Sequence, residues 1–193
     1  MTWFRDFSFQ LWEIFAGNLL MIATIAFYIA WWTVSFRPNG DGNAAGAGFF
    51  IALAFFAGVA AIAILFTGIN SFSQAGKGFP MTYILAGAAA SFIILLAVTK
   101  IVFQRPVTSE LPLIVIWAAL EWSAIAALQG SGRFGLGPAL TLAALVALAT
   151  IIGMVCYILH YHLDEASRFW NGLIPLIAPA GVVAVFLAVQ ALS

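Results

Sequence analysis

One stretch, Leu111–Gln129, fixes the environment in which this chain must fold. It is long enough to cross a bilayer as a helix, and it carries a glutamate, Glu121, near its middle. Glu121 lies roughly 15 Å of helix rise from Leu111, which is half of a hydrocarbon core about 30 Å thick. A charge at that depth costs on the order of 2.5–3.5 kcal/mol. The fold must offset this cost with a polar partner, a water-filled cavity or protonation of the carboxyl.

The composition shows that the rest of the chain shares this environment. Of the 193 residues, 64% are hydrophobic and 7% are charged, and the mean hydropathy is +1.09. A soluble domain carries roughly 25% charged residues, so most of this surface must face lipid. The sequence therefore predicts an integral, multi-pass membrane protein whose main partner is the lipid bilayer. We expect a bacterial plasma membrane, that is, a cell inner membrane, as its location.

Six apolar segments account for nearly the whole chain. We predict an all-α fold in which residues 1–193 form a single domain, one bundle of six transmembrane helices. The predicted helices cover approximately residues 11–36, 47–72, 80–104, 110–129, 138–161 and 169–192. Glycine-rich loops, two Arg-Pro pairs and helix-opening prolines separate them. Residues 1–10 are predicted to be a short interfacial lead-in.

The topology of such a bundle is only partly fixed by the sequence. Six spans put both termini on one side of the membrane. The seven basic residues divide almost evenly between the two sides, so the positive-inside rule leaves the orientation open. A short resemblance between residues 46–48 and 135–137 is compatible with a weak 3+3 inverted repeat, a transporter pattern. Chance also explains such matches in a chain this rich in Ala and Leu.

Glu121 is the leading candidate for a site residue. It could bind a proton, orient a solute or act as a filter; alternatively, its carboxyl holds the bundle together by a hydrogen bond across a helix interface. Trp117 is four residues earlier and should flank the same surface, unless it faces lipid. Lys100 could reach inward to pair with Glu121, or its long stem could snorkel outward to the interface.

Four other polar side chains are secondary candidates for binding a solute or proton. His160 and His162 could relay protons, since histidine titrates near neutral pH, or they could be ordinary interfacial residues. Because they are two apart at a helix end, they should point in different directions, which argues against a shared metal. Asn18 and Asn70 could hydrogen-bond each other as structural contacts, or they could line a polar path.

Pro175 and Pro179 lie inside the sixth predicted helix. Each removes a backbone N–H, so the carbonyls of Asn171 and Pro175 lose their usual donors. We therefore predict a bent or broken segment between Asn171 and Gly181. Such helix breaks border solute sites in many transporters; the alternative is an ordinary kink packed against small residues.

Several functional classes are excluded or disfavoured by the sequence. No basic run exists, so we expect no nucleic-acid partner. A single cysteine, Cys156, excludes an internal disulfide, and with two histidines it offers too few ligands for a typical zinc site. The Gly130-Ser131-Gly132 segment superficially resembles the serine motif of rhomboid proteases, but the sixth helix lacks the histidine that those enzymes need. We predict no metal, no cofactor and no catalytic residues, and an enzyme is disfavoured.

These observations favour a channel or secondary transporter for a small, uncharged or weakly ionised solute, with Glu121 in or near its path. The alternative is an accessory or scaffold subunit in which Glu121 binds another membrane chain or a second copy. A lipid-active membrane enzyme that uses Glu121 and the two histidines is a third hypothesis. The identity of the solute is not encoded in any motif that we find.

Overall fold

A computed structural model of the protein describes residues 2–37, 44–74, 81–102, 104 and 110–192. Within these ranges the fold is all-helical, and six helices are long and apolar enough to cross a membrane. The helices are α1 (Thr2–Phe36), α2 (Ala44–Gln74), α3 (Met81–Ile101), α4 (Glu110–Gly130), α5 (Leu136–Leu159) and α6 (Glu165–Leu192), with a single 3₁₀ turn at His160–His162. The predicted six-helix membrane bundle is therefore confirmed.

The helix ends differ from the predicted ones by three residues or more in four places, one of which is the start of α2 at Ala44 rather than 47. The first helix begins at Thr2, because no glycine or proline interrupts this segment, and its membrane-spanning part is Phe9–Phe36, close to the predicted 11–36. The interfacial position of residues 1–10 stays a prediction. α6 begins at Glu165 rather than 169, which places an acidic side chain in its positive first turn. α3 ends at Ile101, and Gln104 has a positive φ of 49°. Pro80 and residues 105–109 lie outside the described residues.

Small residues bring α1 and α2 into the closest contact in the bundle. A Cβ on Gly17 would lie 2.6 Å from Leu65 Cγ, and one on Gly68 would lie 3.1 Å from Ile14 Cγ1. Neither helix could approach this closely with a larger side chain at these positions. These two contacts fix the register of α1 against α2, and they determine which polar side chains can meet.

Five helices form a closed ring, and α3 lies outside it. Around the ring, α1 contacts α2 and α6, α5 contacts α4 and α6, and α2 contacts α4. α3 packs mainly on α4, and most of its described side chains are exposed. Its counterpart in a 3+3 repeat, α6, is part of the ring. The inverted repeat therefore stays a prediction, and the two halves pack differently.

We use end A for the end of the bundle where α1 begins, and end B for the end where α4 begins. At end A, the turn after α4 folds back because the N–H groups of Arg133 and Phe134 both donate to the Leu128 carbonyl, at 3.0 and 3.1 Å. Gly132 adopts a φ of +78°, which a glycine accommodates without strain. This turn directs Phe134 into the bundle, where its ring contacts Phe186 at 5.7 Å.

Phe134 and its neighbours close end A with a fully apolar layer, which we call the plug. Its members are at most 3% exposed: Ile14, Ile69, Leu128, Phe134, Leu142 and Phe186. Beyond the plug, Gln190 Nε2 donates to the Leu11 carbonyl at 3.0 Å and joins the last turns of α6 to α1. The described part of the bundle therefore offers no open path at end A.

The helix break predicted at Pro175 and Pro179 is not present, because α6 runs as one α-helix through both prolines. A proline removes only its own N–H, and the ring can be accommodated by a bend without ending the helix. Whether the axis bends there stays a prediction.

Candidate functional site

The ring of helices encloses a large crevice that opens at end B. Its volume is about 860 Å³, and all five ring helices contribute to its lining. Its rim is formed where α1 and α5 end and α6 begins, and it carries Arg37, Glu165 and Arg168. The deeper lining is mostly apolar and aromatic. A cavity of this size and character is the ordinary form of a small-molecule site.

The crevice ends near the middle of the bundle. Met21 on α1 and Trp117 on α4 are its deepest lining residues on those helices, and Pro179 is the deepest on α6. The next residues on the same helix faces, towards end A, are Asn18 and Glu121, which do not line the crevice. Asn18 and Glu121 therefore lie one turn beyond its floor, between the crevice and the plug.

Both of these polar side chains are fully buried. Glu121 and Asn18 are each 0% exposed, and neither carboxyl oxygen of Glu121, nor either polar atom of the Asn18 amide, has a protein hydrogen-bond partner within the described residues. The prediction that Glu121 faces the protein interior is confirmed. A hydrogen-bond partner that would offset its burial is not found among the described residues.

Trp117 forms the floor of the crevice above Glu121. It is 7% exposed, it lines the crevice, and its indole N–H interacts with the Glu121 carboxyl from one turn earlier. The two groups are not positioned for a hydrogen bond, because the indole nitrogen and both carboxyl oxygens have no partner. The Trp117 side chain therefore lines the crevice and also interacts with the Glu121 carboxyl, which does not line it.

Two predicted pairings are wrong. Lys100 is exposed on α3, outside the ring, whereas Glu121 is fully buried and unpaired, so the two do not form an ion pair. Asn18 and Asn70 do not hydrogen-bond either. Gly17 packs on Leu65, so Asn70 lies about 9 Å of helix rise further towards end A than the level of Asn18. Asn70 is half-buried there.

The two histidines point in different directions, as the sequence predicts. His160 lines the crevice near its rim, and its ring lies 6.0 Å from that of Trp32. His162 is exposed. Among the described residues, no group of three His, Cys, Asp or Glu side chains could hold a metal ion.

Aromatic side chains from α1 line the outer half of the crevice. Tyr28, Trp31, Trp32 and Phe36 form a chain of ring contacts, with centroid distances of 5.0 Å for Tyr28–Trp31, 5.3 Å for Trp31–Phe36 and 4.5 Å for Trp32–Phe36. Trp32 is held in place by α6, because its Nε1 donates to the Phe169 carbonyl at 3.2 Å and its ring lies directly on Gly172. A side chain at 172 would displace the indole.

The α6 wall of the crevice contains both prolines of that helix. Asn171, Pro175 and Pro179 all line the crevice, so the residues whose carbonyls lose a helical donor, Asn171 and Pro175, lie on its surface. The Asn171 side chain is committed elsewhere, since its Nδ2 donates to the Cys156 carbonyl on α5 at 2.9 Å.

Glu110 is a site residue that the sequence reasoning did not identify. It is the first residue of α4, it is exposed, it lines the crevice and it interacts electrostatically with Tyr28 across the opening. Glu110 and Glu121 are close to three full turns apart, so they occupy one face of α4. That spacing is visible in the sequence and indicates that the two carboxyls lie on one face of the same helix.

Compared with protein-family models, curated proteins and solved structures, the chain has no match.

Proposed function

We propose that this protein is a membrane transporter for a small solute that is uncharged or weakly ionised. One observation carries the proposal: a crevice of about 860 Å³ open at end B stops one turn above two buried, unpaired polar side chains, Glu121 and Asn18. Polar groups left unpaired at mid-membrane depth are expensive, and in transporters they mark a solute path. The plug on the far side supports a gated path over a continuously open channel.

The proposed cycle has three parts. The solute enters the crevice at end B and reaches Trp117 at its floor. Rotation of the indole exposes the Glu121 carboxyl and the Asn18 amide, which then hydrogen-bond the solute and are paired for the first time. Separation of the plug, centred on Phe134 and Phe186, releases the solute at end A.

Solute entry into proteoliposomes tests the proposal. Purified protein is reconstituted, and uptake of uncharged, weakly acidic and weakly basic solutes (glycerol, urea, acetate and phenylbutylamine) is compared with that of empty liposomes. We expect uptake of at least one solute above the empty-liposome rate. We also expect Glu121→Gln to reduce it by about tenfold, the cost of a mispaired hydrogen bond.

Ser123→Ala is the matched control for that variant. Ser123 is also buried on α4, but its hydroxyl donates to the Ala119 carbonyl of its own helix and so cannot serve the path. It should leave uptake within about twofold of the unmodified protein. If the folded protein takes up none of these solutes, or if both variants reduce uptake equally, the proposal is wrong.

A second candidate function, an accessory subunit that binds another membrane chain, is favoured by α3. This helix lies outside the ring, and a Cβ on its Gly87 would contact nothing within 4 Å. Small exposed residues allow a partner helix to approach closely. Purification in a mild detergent distinguishes the two functions. The subunit is favoured if a partner chain co-purifies with the unmodified protein and is lost in Gly87→Leu, and if solute uptake is unimpaired in Glu121→Gln.

A further inference from the structure

We propose that the crevice binds a lipophilic amine, a weak base whose ammonium group lies at Glu110 and whose apolar body extends towards Trp117. This inference deepens the proposed function and rests on it for the statement that the bound molecule is also transported. It concerns the sign of the charge that the site selects, which the crevice volume alone leaves open.

Within the described residues, the acidic side chains along the inner path are Glu110 and Glu121. On the α4 face that lines the crevice, Glu110 is followed at one-turn intervals by Ile114 and Trp117, and Glu121 is next. The rise from Glu110 to Trp117 is about 10 Å, and to Glu121 about 16 Å. A cation that leaves Glu110 therefore meets another carboxyl further along the same face.

The arginines among the described residues that line the crevice lie further out than Glu110. Tyr28 faces Glu110 across the opening, and Arg37 follows Tyr28 by about 13 Å of rise towards end B. Arg168 is in the first turn of α6, and its guanidinium donates to the Leu163 carbonyl before that helix. Both guanidinium groups are exposed at the rim, so an anionic head would be held there, away from the apolar body of the crevice.

The aromatic wall beside Glu110 also favours a cation. Tyr28 contacts Trp31, which contacts Phe36, and all three rings line the crevice. Aromatic faces attract ammonium groups, and the attraction increases where water is partly excluded. An ammonium at this level would be paired with one carboxylate and surrounded by rings, while the lining below it is mostly apolar and suits the body of the ligand.

Three ligands with the same apolar body and different heads test the charge selection: phenylbutylamine, phenylbutanol and phenylbutyrate. Binding to the full-length protein in nanodiscs is measured by calorimetry, with empty nanodiscs subtracted to remove partitioning into lipid. We expect the amine to bind about tenfold more tightly than the alcohol or the acid, the combined effect of one carboxylate and the aromatic wall.

Glu110→Gln should remove the preference for the amine and leave the alcohol within about twofold of its original affinity, a difference well below one tenfold step. Glu13→Gln, at an acid of α1 that accepts from Thr67 Oγ1 and does not line the crevice, is the matched control and should keep the preference. If Glu110→Gln does not fold, Glu110→Asp should still bind the amine more tightly than the alcohol, but with a smaller ratio between the two affinities. Equal binding of amine and alcohol, or a preference that survives Glu110→Gln, would overturn the inference.

The failures of this inference and of the proposed function are distinguishable. Selective amine binding without uptake into proteoliposomes would support the amine site and refute transport. Uptake of another solute, together with equal binding of the three ligands, would support transport and refute the amine site.

Discussion

Replacing the Glu121 carboxyl with an apolar group of similar size should make the protein more stable and less active. Glu121 is 0% exposed and neither oxygen has a protein partner within the described residues. Mutational data put the cost of such an unpaired buried polar group at about 1–3 kcal/mol. Glu121→Met removes that cost and keeps most of the packing, so the free energy of unfolding should rise by about that amount.

The other substitutions at this position should fall in a definite order. Glu121→Gln retains an unpaired polar group and should stay within about 1 kcal/mol of the unmodified protein. Glu121→Ala removes the polar group but leaves a cavity, which costs about 2–5 kcal/mol relative to Met, so it should be the least stable of the set. The expected order of stability is Met, then Glu and Gln, then Ala.

Thermal unfolding in one detergent, without added solute, measures this order. For a chain of this length each kcal/mol corresponds to about 2–4 °C, so Glu121→Met should unfold about 2–12 °C above the unmodified protein. Leu120→Met is the control for methionine itself, because Leu120 is a buried neighbour at 7% exposure and the swap costs less than about 1.5 kcal/mol. A lower unfolding temperature for Glu121→Met would refute the reasoning, since it would mean that the carboxyl is paired in the working protein.

Three further predictions follow from the same structure. Gly172→Ala should destabilise the protein by about 1–3 kcal/mol in thermal unfolding, because its Cβ would collide with the Trp32 ring. Its control is Gly181→Ala on the open side of α6, which should be neutral or stabilising by up to about 1 kcal/mol. Equal effects of the two substitutions would contradict the Trp32 contact. Phe134→Ala should cost about 3–5 kcal/mol and increase passive leakage of glycerol through reconstituted liposomes, and an unchanged leak would show that the plug is not the barrier. Pro175→Ala combined with Pro179→Ala should raise the unfolding temperature and lower solute uptake, and full uptake in the double variant would remove the prolines from the mechanism.

The six helices were predictable because length and apolarity alone decide whether a segment can span a bilayer. The burial of Glu121 was predictable for a related reason: its depth follows from the helix rise, and the cost of a charge in lipid forces the side chain inward. Both inferences use distance along one helix axis, which the sequence specifies directly.

The pairings failed because they depend on where helices sit around one another. Lys100 has a depth compatible with reaching inward, but α3 lies outside the ring, which no pattern in its sequence indicates. Asn18 and Asn70 are separated by a register that Gly17 and Gly68 set through contacts with Leu65 and Ile14. The crevice is likewise a property of five helices together, so the sequence shows the spacing of Glu110 from Glu121 but not that Glu110 and Tyr28 line one opening.

The contacts also indicate how the bundle would have to move for a solute to pass. α1 and α2 are joined along much of their length by glycine contacts at Gly17, Gly58 and Gly68, so they should move as one unit. α1 is bonded to α6 near both ends, by Trp32 to the Phe169 carbonyl at end B and by Gln190 to the Leu11 carbonyl at end A. A seam held at both ends acts as a hinge, and the opposite side, where α2 meets α4, is the side free to open. Because that hinge runs from end A to end B, rotation about it would widen the contact between α2 and α4 along its whole length, and α4, which carries both Glu110 and Glu121, lies on the side that moves.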